Sequence, residues 1–218
     1  MEPMSKKEAN SIIMYILSTL VMYLVTMKIM GLFMEHIPRY LCTRTIETIS
    51  IFLLIFFLEY TDLQIYTTGL VGTKEEIKRT LIRCSLICIG IIIAFVIVRL
   101  IMESHNPKIA NRAWFKPYFH LYMRWYYPFV SILQEILSKS IMQESLKRLF
   151  GEEEAKLSLI ACCFIFALFH VNYQLYYIIG AGLLNYVTGR IYEKDHTIWG
   201  CSMIHFCVGF LPRAMGLK

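Results

Sequence analysis

Between Phe129 and Gly209 the chain sets groups able to do chemistry inside runs that are otherwise apolar: Gln134 and Glu135 with Lys139, Phe166 with His170, and His205 with Gly209. A carboxylate, a carboxamide and two imidazoles are costly to keep in hydrocarbon, so their presence on separate apolar segments points to a common site. A carboxylate with two histidines is enough to activate a water and carry its protons, or to hold a divalent metal such as zinc that lowers the pKa of a bound water. The residue types leave both routes open, one with a metal and one with no cofactor. Helical spacing refines the picture. Glu135 and Lys139 lie four apart, so the ammonium can neutralise the carboxylate within one turn, and Phe166 shares a face with His170 as His205 does with Gly209. One buried histidine alone is as readily a packed core residue; the set together argues for function.

The elements that must position these residues follow from composition. Of 218 residues, 57% are hydrophobic and 17% charged, against about 25% charged in an ordinary soluble domain. With a mean hydropathy of +0.53, the chain reads as all-α: a polytopic helical membrane protein of about seven spans, with a buried polar cavity between the C-terminal four. Residues 1–117 form an N-terminal scaffold of three spans, and residues 118–218 a core of about four, within one integral membrane domain. The spans are placed at 9–27, 46–66, 81–102, from Pro128 to about Gln143, 155–171, 174–192 and 197–211, with a turn at Asn172–Gln174. The first is read as retained, because it exceeds a signal peptide's apolar region and no small-residue cleavage site follows it. Residues 34–45 and 144–156 read as polar loops, the latter broken at Gly151. Glu59 and Asp62 are placed at headgroup level, and Arg83 and Arg99 near the ends of the third span, where they can snorkel. Tyr118, Phe119, Tyr122, Trp125, Tyr126 and Tyr127 form an interfacial aromatic belt.

The formal net charge of +6 sits in short loops between apolar runs, as topology signals and contacts with anionic headgroups require, so nucleic acid is excluded as a partner. A slight excess of Lys and Arg on the N-terminal side favours a cytoplasmic N-terminus in a multi-pass protein of the plasma membrane. The seven cysteines are odd in number and lack paired metal-binding spacing, so they read as free thiols and small packing residues. The expected partners are the lipid bilayer and a peptide or membrane-protein substrate; oligomeric state is not legible.

Depth gives a further test. Measured from segment ends on one side of the membrane, Gln134 and His205 lie about 14 Å in and His170 about 21 Å, at 1.5 Å per residue. The three segments reach comparable depth.

At these residues the chain resembles a known family. ILQEILSKSIMQESLKRLFG is similar to the first motif region of the CPBP family (CAAX proteases and bacteriocin-processing enzymes, or Abi family), which reads E-E-x-x-x-R and closes on a basic stretch before Phe-Gly. FALFH resembles its F-x-x-x-H motif, and GLLNYVTGRIYEKDHTIWGCSMIHFCVG its third region, which ends in H-x-x-x-N. The resemblance covers about residues 120–212. It implies an all-helical membrane endopeptidase acting on prenylated, peptide or membrane-protein substrates. By position it assigns water activation to Gln134 and Glu135 with His170, the oxyanion pair to His205 and Gly209, and substrate-contacting places to Lys139, Phe166 and Gly209.

Three positions depart from the family pattern. Gln134 cannot act as a general base, Gly209 has no side-chain donor where an amide is expected, and Lys139 lacks the bidentate fork of arginine. Sliding the first motif to Gln143, Glu144 and Arg148 recovers an arginine but leaves the leading glutamate missing. One reading is an active protease in which Glu135 replaces the missing carboxylate, which needs a helix rotation or a local distortion near Pro128. Another is a non-catalytic relative that binds a peptide or membrane partner, as in bacteriocin immunity or regulation. A transporter with a protonatable path is the third.

Overall fold

The computed structural model describes residues 6–33, 39–60, 69–115 and 126–217, and every regular element among them is helical. They are α1 (Lys6–Phe33), α2 (Arg39–Tyr60), α3 (Lys74–His105), the short α4 (Pro107–Ala110), α5 (Tyr127–Glu135), a π-helical segment (Ile136–Gln143), α6 (Glu144–Phe150), a 3-10 turn (Glu152–Glu154), α7 (Ala155–Leu168), α8 (Leu175–Asp195) and α9 (Trp199–Ala214).

The local chemistry accounts for the ends. Helix α3 starts at a capping box, in which the Thr73 hydroxyl accepts from the Glu76 N–H and the Glu76 carboxylate accepts from the Thr73 N–H. Pro107 and Pro128 stand in the first turns of α4 and α5, where a missing N–H costs nothing. Gly151 at φ 94° stops α6, and His196 at φ 49° stops α8.

Several boundaries differ from the expectation. Helix α2 begins at Arg39 rather than 46: Arg44 pairs with Glu47 at 2.6 Å one turn on, and the Thr45 hydroxyl donates back to the Leu41 carbonyl. The stretch expected as a loop from 144 is helical to Phe150, with Lys147 and Arg148 in the last turn, where cations complement the dipole. Helix α7 ends at Leu168, so His170 lies in the turn before α8 rather than inside a span. Glu59 is exposed. Asp62 and most of the aromatic belt fall outside the described residues.

Helix α9 lies along α3 and touches α5 and α8, while α7 packs on α8. An apolar exterior surrounds a core in which polar groups are buried beside apolar ones. Large apolar side chains face outward on α1 (Met22, Leu32), α3 (Leu86, Ile93, Ile101), α7 (Phe164) and α8 (Leu175, Leu183), whereas Glu135, Ser138, Lys139, Asn185, Thr188 and His205 are buried. By length and composition α3 is the one helix among the described residues able to cross a membrane; Ile16–Leu32 and Ala155–Leu168 are shorter apolar helices.

The buried charges outside the motif region are structural. Arg99, expected to snorkel, is instead 0% exposed. Its guanidinium donates to Glu103 at 3.0 Å and to the carbonyls of Ile109, Arg112, Met215 and Gly216 at 2.7–3.1 Å, so it clamps α3 to the loop after α4 and to the segment after α9. A planar five-donor fork suits such a cluster of carbonyls. Arg83 bonds Asp195 at the end of α8, which also accepts from the Thr80 hydroxyl at 2.6 Å. Tyr23 of α1 donates to the Phe169 carbonyl at 2.7 Å and tethers the turn that carries His170. Six described cysteines are free thiols.

Candidate active site

The helix that begins at Tyr127 changes its winding one residue after Glu135. From Ile136 to Gln143 it is π-helical, and every residue of that stretch is buried. The i→i+5 pattern places one more residue in each turn than an α-helix, so a different set of side chains faces inward; such segments concentrate at functional sites. For Glu135 to face the histidines, the sequence calls for a helix rotation or a local distortion near Pro128. The distortion found here lies just past Glu135.

Glu135 and His205 form the centre. A carboxylate oxygen only accepts, so the 2.7 Å contact between Glu135 Oε1 and His205 Nδ1 puts the imidazole proton on Nδ1. Among the described residues the other carboxylate oxygen has no partner at hydrogen-bond distance, and Lys139 Nζ stands 3.8 Å from it as counter-ion. Lys139 is held in turn by α8: it donates to the Asn185 side-chain oxygen, to the Asn185 carbonyl at 3.0 Å and to the Ser138 hydroxyl at 3.1 Å. Ser138 also donates to the Asn185 side chain, whose amide points to the Cys162 sulfur at 3.5 Å. The π segment, α7, α8 and α9 are thereby joined through one buried polar group, with opposite charges paired and hydrogen-bonded as burial demands.

His170 is adjacent and differently engaged. Its Nδ1–H donates to the Phe166 carbonyl at 2.9 Å, which leaves Nε2 with the lone pair in the neutral ring. The Phe166 ring stands by both imidazoles, with ring centres 5.0 Å from His170 and 6.2 Å from His205. On the other side Tyr127 meets His205 edge-on at 6.4 Å, and its hydroxyl lies where a side chain on Gly209 would begin: a Cβ there would be 1.8 Å from that oxygen.

Of the residues singled out in the sequence, the structure hydrogen-bonds Glu135 to His205 and sets Lys139 beside Glu135 as an ion pair, with Phe166, His170 and Gly209 around them. Gln134 is buried, but among the described residues it bonds to none of Glu135, His170 and His205. In the alternative register, Gln143 donates to the Gly189 carbonyl and to Glu193, each at 3.4 Å, and Arg148 is exposed. Among the described residues no group of three or more His, Cys, Asp or Glu is arranged to hold a metal ion, and Glu135 with His205 and His170 does not make one.

Asn185, Ser138 and Tyr127 were missed. Asn185 is an amide in the apolar run Leu175–Val187, so the rule that flagged the histidines applied to it equally. Tyr127 read as one aromatic of a belt, and nothing local marks its contact with Gly209.

These residues lie in the stretch that comparison identifies. Residues 116–211 match the family model described as type II CAAX prenyl endopeptidase Rce1-like, a membrane-integral family. No curated protein and no solved structure matches the chain. The stretch from 116 to 211, which holds the buried Glu135–His205 pair, is thus similar to the Rce1-like family.

Proposed function

We propose that this protein is an intramembrane endopeptidase of the CAAX-protease type, in which Glu135 and His205 activate the attacking water. The observation that carries this reading is the buried 2.7 Å contact between Glu135 and His205 Nδ1. A carboxylate that holds Nδ1–H leaves Nε2 as proton acceptor, the logic by which an acid orients a histidine base in unrelated hydrolases. The water oxygen bonds to the peptide carbonyl carbon as its proton passes to His205 Nε2, and the carbonyl π pair moves onto oxygen. When that pair returns, the C–N bond breaks, and the proton on His205 goes to the departing nitrogen. His170 offers a second Nε2 lone pair that orients the water, and Lys139 balances the carboxylate. No step calls for a metal.

The outward apolar faces support membrane embedding with the longer helices as about seven spans, residues 1–117 as scaffold and 118–218 as catalytic core. The substrates are peptide segments at the membrane surface, including prenylated C-termini, and the N-terminus is cytoplasmic.

The test is cleavage by the full-length protein in liposomes, against a membrane-peptide library with prenylated and unprenylated arms. Wild type should cut, and Glu135→Gln and His205→Ala should each lower kcat by at least ~10²-fold, the lower range for one acid–base group. An inert wild type alongside an active Gln134→Glu variant would establish instead a peptide-binding protein on a protease frame.

A further inference from the structure

The two imidazoles at the centre supply proton acceptors rather than donors. With Nδ1–H of His205 given to Glu135 and Nδ1–H of His170 given to the Phe166 carbonyl, both neutral imidazoles present lone pairs at Nε2. Negative charge that develops on a carbonyl oxygen needs the opposite, an N–H or O–H already aimed at it. On α9 the position one turn beyond His205 is Gly209, which has no side chain to offer.

The space of that missing side chain is filled. A Cβ on Gly209 would lie 1.8 Å from the Tyr127 hydroxyl oxygen and 2.5 Å from the ring carbon that bears it, so the phenol rests against the α9 backbone. Any residue other than glycine would expel it. The helix geometry sets its direction. Glu135 meets His205 while Tyr127 meets Gly209, so α5 and α9 run antiparallel here. At 1.5 Å per residue Tyr127 starts about 12 Å from the level of Glu135, and Gly209 only about 6 Å from that of His205. The tyrosine side chain spans the difference and brings its hydroxyl toward the Glu135–His205 pair. Its ring stands edge-on to His205 at 6.4 Å and beside Phe206 at 6.0 Å.

We propose that Tyr127 is a catalytic residue of this site, its phenol O–H donating to the oxyanion from the space that Gly209 vacates. Tyr127 and Gly209 act as a unit, a donor carried on α5 in place of one carried on α9. The O–H bond is not broken: it donates while the carbonyl pair rests on oxygen and is released when the C–N bond breaks. The inference rests on the endopeptidase reading above.

The experiment uses the full-length protein in liposomes with whichever library peptide the wild type cuts, and compares Tyr127→Phe, Tyr127→Ala, and Tyr127→Ala combined with Gly209→Asn. Tyr127→Phe keeps the ring and removes only the O–H. It should lower kcat by ~10²–10³-fold, the range for one lost oxyanion donor, with KM and the shape of the pH profile unchanged. Tyr127→Ala clears the space for a side chain at 209, so the double variant should regain activity over Tyr127→Ala alone. A Tyr127→Phe protein with wild-type kcat overturns the inference and leaves the endopeptidase reading standing. Should Tyr127→Phe fail to fold, the double variant decides, and no gain over Tyr127→Ala overturns the inference. A wild type that cuts nothing overturns both.

Discussion

Replacing Lys139 with methionine withdraws the ammonium paired with the central carboxylate while keeping an apolar side chain of similar length. The Lys139 side chain is 0% exposed and that of Glu135 1%, with Nζ 3.8 Å from Oε2, so the pair is shielded from solvent. At an effective dielectric of ~20, two unit charges at that separation attract by about 4 kcal/mol. Lys139→Met leaves the carboxylate uncompensated and takes a donor from both oxygens of Asn185. The expected loss is ~3–5 kcal/mol, as for other buried pairs broken from one side. Glu135→Gln removes the charge but keeps an oxygen that accepts from His205. Combined with Lys139→Met, it should therefore cost less than the two single changes added together, by ~1–3 kcal/mol. The assay is equilibrium unfolding of the purified protein in mixed micelles by titration with denaturing detergent, followed by helical circular dichroism. Additivity within ~0.5 kcal/mol refutes the coupling. A Lys139→Met protein as stable as wild type refutes the placement of the charges.

Two further substitutions test the frame. Arg99→Lys keeps the charge but cannot span Glu103 and four carbonyls at once; it should cost at least ~2 kcal/mol in the same unfolding assay and speed limited proteolysis near 109–112, because each orphaned buried carbonyl costs ~1–3 kcal/mol. Gly189→Ala puts a Cβ 2.3 Å from Leu159 Cδ1 and 2.9 Å from Gln143 Oε1, so it should destabilise by ~1–3 kcal/mol through overpacking, with partial recovery on adding Leu159→Ala.

What the sequence made legible followed from one rule, that a polar group inside an apolar run has a partner. It found Glu135, Lys139 and His205, and four-residue spacing anticipated the approach of Lys139 to Glu135. It also located the helices of the C-terminal half, apart from the continuation to Phe150 and the early end of α7. The misses share a different physics. Arg99 lies near the end of an apolar run, where snorkelling and burial read alike in sequence; only the return of the chain at Met215 and Gly216 decides between them. The π-helical winding at Ile136–Gln143 has no composition of its own, and the segment packs on α7 and α8, far along the chain. Tyr127 and Gly209 are 82 residues apart, and a glycine that makes room for a distant side chain looks like any other glycine.

The Arg99 clamp also dictates an order of assembly. During synthesis, the guanidinium emerges with Glu103 four residues behind it and the Ile109 and Arg112 carbonyls ten and thirteen behind. Its remaining partners, Met215 and Gly216, are translated 116 and 117 residues later. The stretch from α3 to Arg112 therefore carries three of the five partners of that cation before the other two are made. The segment after α9 fills the two remaining donor positions, so this contact is a latch that closes on a side chain made long before.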